Sequence, residues 1–71
     1  MKTVREQQLE HYLKHLANIA DEIKSNTDKA ISAIESGDGV MGYLFLRVTQ
    51  DSAKEYIALV KKTANIIILG K

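Results

Sequence analysis

The chain has 71 residues, ten Lys and Arg against nine Asp and Glu, a formal net charge of +1, and neither Cys nor Pro. A chain this short makes one domain of marginal stability, and without Cys it has no disulfides or Cys-bound zinc to reinforce it. Near-neutral charge excludes the basic footprint typical of nucleic-acid binders, and no apolar run approaches the ~18 residues of a membrane span.

The N-terminal MKTVREQQLEHYLK is too charged for the apolar core of a signal peptide, so a cytoplasmic location is expected. Leu9, Leu13, Leu16, Ala20, Ile23, Thr27, Ala30 and Ile34 follow at alternating steps of four and three. That is a heptad seam, widened by Tyr12, Ile19 and Ile31. It predicts one long helix over residues 3–36, about 50 Å in length. Ser25–Asp28 has weak helix propensity, yet the seam passes through it in phase, with a bend as the most it would cause.

Ser36-Gly37-Asp38-Gly39 is the one clear break. Gly37 follows the seam closely, as a left-handed C-cap does, so residues 37–39 are expected to be a loop. A second helix over residues 40–68 then folds back on the first as an antiparallel hairpin. Its stripe holds Phe45, Val48, Ala53, Tyr56, Ile57, Leu59, Val60, Ala64, Ile66 and Ile67. Arg47, Gln50, Asp51, Lys54, Glu55, Lys61, Lys62 and Asn65 fall opposite. A rival reading makes strands of Val40–Thr49 and Asn65–Leu69, which are rich in β-branched and aromatic residues, with a capping box at Ser52–Glu55. The unbroken helical phase from Phe45 to Ile67 argues against it, as do the two bare edges of such a sheet. Whether residues 65–69 end a helix or form a strand is left open by the pattern.

The expected fold class is therefore all-α, a single helical-hairpin domain over residues 1–71. The second helix's apolar sector covers about half its circumference, wider than one neighbour needs. Leu46, Ala53, Ile57, Val60 and Ala64 form the flank left bare, and covering it by self-association gives a four-helix bundle or a larger ring. Small residues in the stripe (Thr49, Ser52, Ala53, Thr63, Ala64) permit close approach, with Thr and Ser bonded to the carbonyl one turn back.

Four groups of residues invite a chemical reading. His11 and His15 have the i, i+4 spacing of a metal pair, but Lys14 lies beside them, no third ligand is fixed, and two solvated histidines are expected. Gly37-Asp38-Gly39-Val40-Met41-Gly42 matches G-x-G-x-x-G, but it follows a helix and has no βαβ unit around it. What survives is an anion-binding loop at Gly37, Gly39 and Gly42, with Tyr43 and Arg47 near, under a helix N-terminus; Asp38 opposes it. Arg47, Lys54, Lys61 and Lys62 share their face with Asp51 and Glu55, so a solvated surface is expected rather than a nucleic-acid site. Tyr12, Tyr43, Phe45 and Tyr56 offer aromatic rings, of which Tyr12 and Tyr56 are read as core.

No nucleophile, inward carboxylate pair or core-facing His supports catalysis. No cofactor and no metal are expected. The sequence points to a non-enzymatic, self-associating interaction or regulatory protein that binds another macromolecule, with a protein the favoured partner. The alternative is an oligomeric binder of an anionic metabolite or nucleotide at the Gly37–Gly42 loop. The sequence resembles no family closely enough to carry residues across.

Overall fold

A computed structural model describes residues 1–69 as two antiparallel helices, α1 (Val4–Glu35) and α2 (Gly39–Leu69). Thr3 starts α1 with extended backbone, its hydroxyl accepting the Glu6 N–H at 3.1 Å. The same hydroxyl donates to the Glu6 carboxylate at 3.2 Å, so Thr3 is the N-cap, and Glu6 reaches back to its hydroxyl rather than to its backbone N–H as in a capping box. The match at Ser52–Glu55 lies inside α2 and caps nothing.

Every backbone N–H of the link, Ser36 to Asp38, is bonded back to α1. Asp38 N–H donates to the Ala33 carbonyl at 2.8 Å and Gly37 N–H to Ile34 at 3.0 Å, with Gly37 at φ +81°. This is a Schellman cap, whose C′ residue must be left-handed. Asp38 then caps α2, its carboxylate accepting the Met41 N–H at 3.1 Å. No strand occurs among the described residues; both segments of the rival reading belong to α2, as the continuous helical phase requires.

Two heptad series face each other. From α1 come Leu9, Tyr12, Leu16, Ile19, Ile23, Asn26, Ala30 and Ala33; from α2 come Gly42, Phe45, Thr49, Ser52, Tyr56, Leu59, Thr63 and Ile66. All are buried or half-buried, and each series steps by three and four. The second column of the expected α1 seam is therefore off by one residue. Leu13, Ala20 and Ile34 are exposed, and Tyr12, Ile19, Asn26 and Ala33 stand in their place. The α1 stripe is wide enough for two overlapping seams, and a three-residue link with a fixed cap leaves α2 no freedom to choose the other. Thr27, Thr49 and Thr63 donate their hydroxyls to Ile23, Phe45 and Leu59 carbonyls at 2.7, 2.9 and 2.8 Å, which lets threonines sit in or beside the seam unsolvated.

The buried set is small: Leu16, Ile19 and Ala30 from α1, Gly42 and Thr63 from α2. With Cα extents of 52 × 21 × 11 Å, the hairpin is one helix thick, whereas a domain core ordinarily lies between two layers. Its surface is 5374 Å2; a globular monomer of 7.9 kDa exposes about 4,400 Å2.

Candidate functional site

Most of the exposed large aliphatic side chains between the helix ends lie on one broad side. In an antiparallel pair the helices are related by a pseudo-twofold normal to their common plane, so equivalent heptad columns share a side. The column just after Tyr12, Ile19, Asn26 and Ala33 is Leu13, Ala20, Thr27 and Ile34. Its counterpart on α2, just after Phe45, Ser52, Leu59 and Ile66, is Leu46, Ala53, Val60 and Ile67. Neither column holds a charged residue between Leu13 and Ile67. Ile31, Ile57 and Ala64 extend the same face, although the column of Ile31 also carries Glu10 and Lys24.

Near the link the two columns meet around an apolar groove of about 270 Å3, lined by Thr27, Ala30, Ile31, Ile34, Glu35 and Leu46. Leu13, Ile31, Ile34, Leu46, Ile57 and Val60 stay between 40% and 56% exposed, whereas burying such a side chain fully is worth about 1.5–3 kcal/mol. Of the five flank residues predicted, Leu46, Ile57 and Val60 are exposed and Ala53 and Ala64 half-buried. The α1 half of the face escaped sequence reasoning, because Leu13, Ala20 and Ile34 had been spent on the hairpin seam.

The opposite side is wet. His15 Nε2 lies 3.5 Å from Glu55 Oε1, Lys29 sits over Phe45 at 5.9 Å and Lys62 over Tyr12 at 5.6 Å. Their columns carry Gln8, His15, Glu22 and Lys29 on α1, with Met41, Val48, Glu55 and Lys62 on α2, so this side is polar except for the link end of α2. His15 thus faces α2, and His11 packs against Tyr12, ring centroids 6.1 Å apart. Among the described residues no three His, Cys, Asp or Glu side chains come together as a metal cluster. A wider groove of about 710 Å3 near the link includes Lys24, Lys29, Asp21, Asp28 and Asp38; three carboxylates against two ammonium groups give it no pull on an anion.

At the Gly37–Gly42 loop, the position where an external anion would meet α2 is held by the chain's own Asp38 carboxylate on Met41 N–H. Tyr43 and Arg47 bond each other instead, Arg47 Nη1 donating to Tyr43 Oη at 3.0 Å. Gly42 faces α1, where an added Cβ would meet Ile34. These residues do not converge on one point.

No described helix is long and apolar enough to cross a membrane. Comparison with known proteins gives no match: no family model fits the chain, and no curated protein or solved structure is similar to it.

Proposed function

We propose that this protein is a non-enzymatic, cytoplasmic interaction module that works as a homodimer, two hairpins packing their apolar sides into a four-helix bundle. The carrying observation is the apolar face shared by both helices, Leu13, Ala20, Ile31 and Ile34 with Leu46, Ala53, Ile57 and Val60, which Lys24 alone interrupts between Leu13 and Ile34. The apolar columns run from Leu13 to Ile34, about 32 Å at 1.5 Å per residue, on a hairpin 21 Å wide; that is on the order of 700 Å2, close to the ~800 Å2 each partner of a stable complex buries. Such a bundle supplies the second layer that the hairpin lacks. It leaves Met41, Leu44 and Val48 uncovered, each at least 40% exposed and spaced three and four on the opposite side of the hairpin, Met41 and Val48 at the link end of the α2 column that also carries Glu55 and Lys62. That short stripe is the surface offered to another macromolecule, a helix-in-groove type of contact.

Multi-angle light scattering on purified protein tests the reading. The wild-type mass is expected to be twice that of one chain, and Leu46→Asp or Ile57→Asp to bring it to one. A wild-type mass of one chain at high concentration overturns the proposal.

A further inference from the structure

The charges that border the apolar face are sorted by helix. On α1 the column one step outside it reads Lys14, Asp21, Asp28 and Glu35; on α2 it reads Arg47, Lys54 and Lys61. All are exposed. Asp28 is bonded along its own helix to Lys24 at 3.2 Å, and Arg47 to Tyr43, so neither spans the hairpin. Over their full lengths α1 carries four basic and six acidic residues, α2 four basic and two acidic. In a bundle of two hairpins this column flanks the seam between copies, the place where charges set partner and orientation in helical assemblies.

Two face-to-face dimers are geometrically open, and the sorted charges distinguish them. With both links at one end, α1 lies beside the second copy's α2. Lys29 opposite Phe45 and His15 opposite Glu55 fix the heights, which bring Asp28 level with Arg47 and Asp21 level with Lys54. Two contacts are unfavourable: Lys14 against Lys61, and Lys24, which shares the Ile31 column at a height between Asp21 and Asp28, against Arg47 and Lys54; the Lys24–Asp28 pair at 3.2 Å offsets the second. With links at opposite ends, α2 lies antiparallel to its own copy. Lys54 then faces Lys54 and Arg47 faces Lys61, with no acid in that column to offset them; on the α1 side Asp21 meets Asp21, and only Lys14 against Asp28 is favourable.

We infer that the second copy docks with its link beside the first, a same-end four-helix bundle clamped by the Asp21–Asp28 side of α1 against the Arg47–Lys54 side of α2. This rests on the dimer proposed above and specifies its geometry. The chain has no Cys, and an added Cβ at Gly39 meets nothing within 4 Å, so Gly39→Cys takes a spin label with the Asp38 cap intact. With neighbouring helix axes 8–10 Å apart, two labels at one end lie within about 30 Å in a double electron–electron resonance measurement. Labels at opposite ends are separated by about the 52 Å length of the hairpin. A dimer with the long distance overturns the same-end geometry and leaves the dimer standing; a monomer overturns the dimer itself. As a second measure, Asp21→Lys weakens dimerisation about tenfold, and adding Lys54→Glu restores it. Failure of that rescue also counts against the same-end bundle; in the opposite-end one Asp21 and Lys54 each face their own copy, so the swap leaves like charges opposed at both places and rescues nothing.

Discussion

A Cβ on Gly42 would lie 2.6 Å from Ile34 Cδ1 and 2.9 Å from its Cγ1, so the helices meet beside the link over a residue without a side chain. Gly inside a helix costs about 0.8–1.0 kcal/mol relative to Ala; here it stands where a side chain would press into Ile34 of α1. Ile34 is 56% exposed and free to swing, at about 0.5–1.5 kcal/mol if it leaves its rotamer. Gly42→Ala alone is therefore expected to change stability little. In an Ile34→Ala background the same substitution should stabilise by about 1 kcal/mol. Urea midpoints of the two singles and the double, at one protein concentration, measure the coupling; strict additivity would show that the contact is without consequence.

Gly37 and Gly39 make a second contrast. A Cβ at either meets nothing within 4 Å, but only Gly37 has a positive φ, +81°. Gly37→Ala is expected to cost about 1–2 kcal/mol through the left-handed backbone alone. Gly39→Ala, at the first residue of α2, should be neutral or mildly stabilising. Thermal melts of the two variants separate them, and equal losses would mean that the Schellman geometry is not what ends α1.

These glycines show why so much of the fold was legible. Gly37-Asp38-Gly39 is the one break in a chain without proline, and 3.6-residue periodicity runs unbroken on either side, so two helices and a tight reversal follow from local chemistry. The seam was legible only in half. Leu9, Leu16, Ile23 and Ala30 belong to both series that the α1 stripe contains, and periodicity ranks Leu13 and Ile34 as highly as Tyr12 and Ile19. Which set α2 covers is decided by the path of the link, a three-dimensional property. The candidate face followed the same rule: its α2 residues were visible as surplus apolar width, whereas its α1 residues were concealed by their assignment to the core.

Ile19 and Leu13 separate fold from assembly. Ile19 is 3% exposed and Leu13 52%, although both are large, aliphatic and on α1. Ile19→Ala should cost about 2–4 kcal/mol, most of the ~3–5 kcal/mol that a core of this size supplies, and so abolish the helical circular dichroism. Leu13→Ala should leave helicity at high concentration unchanged and raise only the dimer dissociation constant. If both variants lose helicity alike, the two sides of α1 are not distinct.

The final prediction joins stability to association. With one layer of helices and three buried apolar side chains, Leu16, Ile19 and Ala30, the hairpin removes little surface from water by itself. The ~25 cal/mol per Å2 gained on burial must then come largely from the second copy. Stability coupled to association depends on protein concentration by mass action, so the thermal midpoint of the wild type should fall on 100-fold dilution. Leu46→Asp should lower the midpoint and remove its concentration dependence together, because a charge in the apolar groove beside Ile31 and Ile34 would be buried unpaired in the dimer. Melts followed at 222 nm over that dilution range provide the check. A wild-type midpoint that stays fixed would mean that the hairpin folds alone, with its apolar side in water.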